Sequence, residues 1–236
     1  MTSSIWDLPE RGSRGPKPRY DRAAITALAV RIADAEGLAA VTMRRLASEL
    51  GVAVMTLYNY FPAKDHLGQA MTDQLAGEYV YPGSAGDPRA GIGDLARQAC
   101  EIAQRHPWLA GLMQRPMPPG PNGLRYLDCF LGLLARSRLD TGGKLEIIAM
   151  ISGFATMYGA LSAAAAADGG EEQAAQVRAF NRAAGSGLYP NLTAALAEAG
   201  AARSRDDVFG SCIERLIDSA GLEPSQPASG DGGRRG

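Results

Sequence analysis

Between residues 44 and 64 the chain sets out Arg44, Arg45, Thr56, Tyr58, Asn59, Tyr60 and Lys64. Cations, hydroxyls and a carboxamide are the groups that reach phosphate oxygens and base edges, so the set reads as a candidate nucleic-acid surface. An ordinary solvated face carries the same residue types. Their meaning depends on the elements that hold them.

Those elements follow from apolar spacing. Met43, Leu46, Ala47 and Leu50 recur at i, i+3, i+4 and i+7, which predicts a short helix with Thr42 as its N-cap. Gly51 comes next, where a left-handed turn costs a glycine little. A second short helix is expected over 54–60, with Leu57 and Phe61 on its inner face and Pro62 as its stop. Two helices this short cannot stand alone. A third, from about Asp21 to Glu36, supplies Ile25, Leu28, Ala29, Ile32 and Ala33 as a cover and ends at Gly37. The result is a three-helix unit whose second pair has the form of a helix-turn-helix.

The run Thr42-x-Arg44-x-Leu46-Ala47-x-x-Leu50-Gly51-Val52, followed by Thr56-Leu57-Tyr58-x-Tyr60-Phe61 and then Lys64 and Leu67, resembles the DNA-binding domain of the TetR/AcrR family of one-component bacterial regulators. The likeness covers about Tyr20 to Leu67. It implies that Thr42 and Lys64 hold phosphates, that Arg44 approaches a base or phosphate, and that Thr56, Asn59 and Tyr60 sit in or beside the major groove. Tyr58 would straddle packing and a phosphate contact. The chain departs from the family pattern at Ala53, Val54 and Met55, where relatives carry at least one polar group. Val54 and Met55 can still touch thymine methyls, which is a legitimate base contact.

Composition agrees with this reading. A chain of 236 residues with 46% hydrophobic content is ample for globular domains. Residues 11–66 hold nine Lys or Arg against five Asp or Glu, a local charge of +4 within a chain of net −1, which describes a basic head on an acidic body. Residues 1–19 are expected to form a flexible basic arm, broken by Gly and Pro. Its Arg14, Lys17 and Arg19 would either enter a minor groove or merely keep the chain soluble.

Beyond the head, the fold class predicted is all-α: a helix-turn-helix domain over 20–66, then a larger helical ligand-binding and dimerisation domain over 67–222, with 67–82 as a connecting helix and 223–236 as a disordered tail. Helices are expected over about 64–80, 88–105, 107–114, 122–138, 143–167, 171–184, 189–199 and 205–220, with no strand. The helices over 143–167 and 205–220 each carry an apolar face wider than one core requires, and the resemblance implies a four-helix homodimer interface. Two-fold symmetry would then set two heads about 34–36 Å apart on palindromic double-stranded DNA.

A ligand cavity is expected behind the segment 106–122, where Trp108, Met113 and Met117 meet a cluster of prolines. Tyr126 and Phe130 from the next helix, with Met150, Phe154, Met157 and Tyr158 from the long one, are the candidates to face it. The resemblance, here to an actinobacterial-type subgroup with a TetR-like C-terminal domain, implies an apolar small-molecule inducer that releases a repressor from its operator. Activation stays open.

Other classes find less support. No serine sits in a nucleophile-elbow context, no phosphate-binding glycine loop follows a strand, and neither His66 nor His106 has metal-ligand spacing. An enzyme, a cofactor and a metal are therefore not expected. Cys100, Cys129 and Cys212 are scattered among apolar neighbours and read as core residues. No apolar stretch is expected to reach the roughly 20 residues that cross a bilayer, and the start of the chain lacks a signal pattern, so a cytoplasmic protein without a membrane partner is expected. A dimeric interaction protein whose head no longer binds DNA is the alternative kept.

Overall fold

The computed structural model describes residues 4–8, 20–81, 86–114, 116–198 and 203–222. Within them the chain forms helices α1 (Arg22–Glu36), α2 (Met43–Leu50), α3 (Val54–Tyr58), α4 (Lys64–Ala76), α5 (Pro88–Arg105) and α6 (Leu109–Leu112). They continue with α7 (Pro121–Leu133), α8 (Thr141–Ala167), α9 (Glu171–Gly185), α10 (Pro190–Glu198) and α11 (Arg205–Ser219). Two short 3-10 turns, Ile5–Asp7 and Leu38–Ala40, complete the set, and no strand occurs among the described residues. The all-α expectation is met.

Thr42 caps α2 as expected, and four further helices start in the same way. Asp21, Thr42, Asp87, Asp140 and Ser204 each accept a backbone N–H of the first turn of the helix they precede. Two ends differ from expectation. α4 stops at Ala76 rather than near Val80, because the Gln98 carboxamide takes over the Val80 backbone, accepting from its N–H at 2.7 Å and donating to its carbonyl at 2.9 Å. α3 stops at Tyr58, and the Tyr60 and Phe61 amides both turn back to the Leu57 carbonyl.

Two apolar cores are present. One joins α1, α2 and α3 to Leu67, Ala70, Met71 and Leu75 of α4, and takes in Ile102, Trp108 and Leu109 from the α5–α6 corner. The other joins α5, α7, α8 and α11. The boundary expected between residues 66 and 67 therefore runs through the first core: α4 is packed as a fourth helix of the head. α9 and α10 lean chiefly on each other and leave Val177, Phe180, Leu188 and Tyr189 exposed.

Two further expectations need correction. Residues 4–8 are not a flexible arm. Ile5 is fully buried in the head core, its N–H donates to Gln69 Oε1 at 2.9 Å, and the Arg22 guanidinium donates to the carbonyls of Ile5, Leu8 and Tyr60. An isoleucine beside a tryptophan was the apolar signal the basic residues after it obscured. The arm cations Arg14, Lys17 and Arg19 and the tail 223–236 lie outside the described residues. In addition, α8 is 27 residues long and is apolar enough to cross a bilayer by length and composition, because no charged residue falls between Glu146 and Asp168.

Removing the Ile5 side chain should leave a cavity in the core shared by the head and α4. Ile5→Ala is expected to lower unfolding stability by about 2–5 kcal/mol in urea titrations. An unchanged midpoint would show that the N-terminal turn is not part of the head.

Candidate functional site

The outer face of α2 and α3 is held by local chemistry. Thr42 accepts the Arg45 N–H at 3.1 Å and opens α2. Gly51 closes it at φ 64° and ψ 38°, with the Val52 N–H bonded to the Ala47 carbonyl, a turn that an L side chain rarely adopts. This turn sets α3 across α2 and leaves Arg44, Met55, Tyr58, Asn59 and Lys64 exposed on the outside, with Thr56 half-buried beside them. Met55, 71% exposed, is the most prominent apolar side chain on this face.

Three of the predicted contact residues are placed otherwise. Tyr60 is only 5% exposed, because the tight turn after α3 swings its ring into the head core. Arg45 is engaged within the head: its guanidinium makes a bidentate pair with Glu36 at 2.8 and 2.9 Å and donates from Nε to Glu49 at 2.9 Å. Those two carboxylates raise its pKa, the Glu36 hydrogen bond most. They also set negative charge beside the guanidinium, which competes with a phosphate for it. Val54 is half-buried and packs on the head core rather than standing out beside Met55.

Head and body are tied at two polar joints. In the first, Asp34 near the end of α1 receives Trp108 Nε1 at 2.7 Å and His106 Nδ1 at 2.6 Å, both on Oδ1. His106 Nε2 faces Glu78 at 3.4 Å, and Arg105 pairs with the same Glu78. In the second, the buried Asp73 of α4 caps α7 from outside: its Oδ1 accepts the Gly123 N–H at 2.9 Å, and Asn122 Nδ2 donates to both its carboxylate and its backbone carbonyl. Gly120 allows this approach. A Cβ there would lie 2.4 Å from Asp73 Cγ and 2.4 Å from Trp6 Cζ2.

The expected cavity behind 106–122 is redistributed. Trp108 is drawn into the head core by its bond to Asp34. Phe130 is fully buried in the body core, and Phe154 and Tyr158, half-buried at its edge, pack against Phe209 of α11, ring centroids 5.3–5.8 Å apart. Tyr126 lies 2.7 Å from Ser152 Oγ and against the Tyr79 ring, and burial pushes its phenol up to about 12, so it is a neutral hydrogen-bonding group. Met150 and Met157 point outward from α8 and are more than half exposed. Of the candidates, Met113 and Met117 line clefts among the described residues. A cleft of about 770 Å³ runs between α4, the head and the 111–118 segment, with Met117 on its wall. A smaller space of about 270 Å³, lined by Met113 and Met117, continues toward Gly120.

Burial raises the Cys100 and Cys129 thiols, which keeps both in the unreactive protonated form. No cluster of metal-ligating side chains occurs among the described residues.

The profile of bacterial regulatory proteins of the TetR family matches residues 25–71, and that of the tetracycline-repressor-like C-terminal domain matches residues 83–224. The HTH-type transcriptional repressor DrrR1 of Streptomyces coeruleorubidus is 34% identical over 230 residues, 93% of this chain and 83% of the relative. The chain belongs to the TetR family. It is a bacterial regulatory protein with a helix-turn-helix head. Apo ActR from Streptomyces coelicolor shares the fold at a TM-score of 0.72 and 24% identity, over 86% of this chain and 97% of that one. ActR in complex with actinorhodin matches at 0.71 and 25%, over 86% and 97%.

What the sequence did not expose in this TetR-family chain are the joint residues Asp34 and Asp73, and Gln69, which holds the Ile5 turn to α4. Each is a polar residue on the flank of an apolar helical stripe, and the one available signal was its position inside a helix whose other faces are apolar. The Asp73 joint carries a testable load. Asp73→Ala leaves the Gly123 N–H without its partner and is expected to cost about 1–3 kcal/mol in thermal or urea unfolding. A neutral effect would mean that α4 and α7 are not joined there.

Proposed function

We propose that the chain represses transcription from the cytoplasm as a homodimer on a two-fold operator, and leaves that operator when an apolar small molecule binds. The carrying observation is the pair of joints just described: α4 shares the head's core at one end and caps α7 of the body at the other, so a change in the body has a direct route to the head. A ligand can move such an equilibrium only by its different affinity for the two arrangements. ActR, whose structure with actinorhodin matches this fold, gives a precedent for a bound small molecule in a related chain.

The dimer is supported by α8. Met150, Met157 and Leu161 leave an apolar row exposed along a helix that is only one-third buried over its most apolar stretch. Such a face needs a cover. A second copy fits it better than lipid, because α5, which lies along α8, carries Arg97, Glu101, Gln104 and Arg105 on its exposed side. Those groups would be costly to bury in hydrocarbon.

On the DNA side, Arg44, Thr42, Thr56, Tyr58, Asn59 and Lys64 remain the residues proposed to meet phosphates and bases, with Met55 in place for a thymine methyl. Arg14, Lys17 and Arg19 are proposed to add phosphate contacts from the arm. Fluorescence anisotropy against DNA from upstream of the chain's own gene tests this reading. Binding is expected to be in the nanomolar range and salt-sensitive, with two chains per site. Arg44→Ala should reduce the slope of log affinity against log salt by about 1, whereas Arg45→Ala should leave that slope unchanged. Equal slope losses in both variants would overturn the assignment, and salt-insensitive binding would overturn the function.

A further inference from the structure

We infer that α3 selects A·T base pairs: Met55 packs on a thymine methyl group and Asn59 pairs with an adenine close to it, so each half-site is A·T where this helix covers it. The inference rests on the DNA-binding reading above and names the class of sequence that the face accepts.

The helix is defined by what it lacks. α3 consists of Val54, Met55, Thr56, Leu57 and Tyr58, with Asn59 as its C-cap in helical conformation, and none of these is charged. The charged groups that flank it stand on other helices: Arg44, Arg45 and Glu49 on α2, Lys64 and Asp65 at the start of α4. Of these, Arg45 and Glu49 are taken by each other at 2.9 Å. In a helix-turn-helix the second helix lies in the major groove while the first crosses the backbone. The free cations therefore meet phosphates, and the base edges are left to an uncharged helix.

That inventory decides which bases can be read. Guanine is recognised chiefly by Arg or Lys and cytosine by Asp or Glu, whereas adenine takes Asn or Gln and the thymine methyl takes an apolar contact. Only the second pair is available on α3. The hydroxyls of Thr56 and Tyr58 suit any base or a phosphate and do not discriminate. A single exposed apolar side chain is ordinary on a protein surface, but the register of Met55 is not arbitrary. Leu57, across the helix from it, is buried in the head core and Val54 packs on that core, which fixes the rotation of α3 and leaves Met55 as its outward apolar group, 71% exposed. Asn59 follows four residues later on the same face, about 6 Å along the axis, a span of about two base-pair steps. The unbranched thioether can follow the groove floor to a methyl group on either strand.

The test uses half-sites that the full chain selects from randomised duplex DNA. Each selected thymine is then replaced in turn by deoxyuridine, which removes only the methyl group, and affinity is read by fluorescence anisotropy. At one thymine per half-site the replacement is expected to weaken binding about fourfold. Met55→Ala should bind the parent operator more weakly and lose the sensitivity to deoxyuridine at that position alone. Exchanging the neighbouring A·T pair for G·C should cost the parent at least about fivefold and Asn59→Ala almost nothing. Both side chains are exposed, so neither variant is expected to lower the thermal melt. Operator binding that ignores every deoxyuridine, a deoxyuridine penalty that persists in Met55→Ala, or selected half-sites with G·C at the central positions would overturn the inference and leave the DNA-binding function standing. Failure to select any sequence, with no salt-sensitive binding, would overturn that function instead, and the inference with it.

Discussion

The structure depends on one shared core. Leu67, Met71 and Leu75 of α4 are buried with Leu46, Leu57 and Phe61 of the helix-turn-helix, and Ile5 and Trp108 close the same core from the N-terminus and from the body. Close-packed interiors transmit displacement rather than absorb it. A helix inserted into such a core cannot tilt alone, so α4 and the reading face move together. The connecting helix is thus part of the unit it joins to the body.

At its other end α4 meets groups that tolerate little change. The Asp73 carboxylate substitutes for a cap residue that Gly120 cannot provide, and satisfies an amide at the start of α7. Asp34 holds two ring N–H groups on one oxygen, so the α5–α6 corner follows α1. Charge-assisted bonds of this kind are short and directional, and they lose much of their strength on small misalignment. They make the joints between head and body discrete in geometry, which is what a two-state switch requires. The body core of α5, α7, α8 and α11 is separate from the head core and can serve as the fixed frame.

What could be read from the sequence was local. The Thr42 cap, the Gly51 turn and the stripe Met43–Leu46–Ala47–Leu50 depend on neighbours within one or two turns, and the structure places them as their spacing predicts. Placement departs from local pattern where distant residues decide. Tyr60 has the composition of a groove contact but is buried by a turn that the periodicity continued as helix, and Arg45 is claimed by Glu36 from another helix. The ligand candidates fared worst, because an aromatic at helical spacing looks the same whether it lines a cavity or fills a core. Phe130 fills one, with Phe154 and Tyr158 packed against its edge; Met117, flanked by prolines that prevent a helix, lines a cleft.

Packed in the same core, α4 belongs to the head. Native-state hydrogen exchange tests it most directly, since segments that open together exchange with one free energy. The amides of Leu46 and Phe61 in the head and of Leu67 and Leu75 in α4 are predicted to share a single opening free energy, and to shift together in a variant that destabilises the head. If α4 instead opened with Ile151 of the body and independently of Leu46, it would be a connector and not a part of the head, and the account would be contradicted.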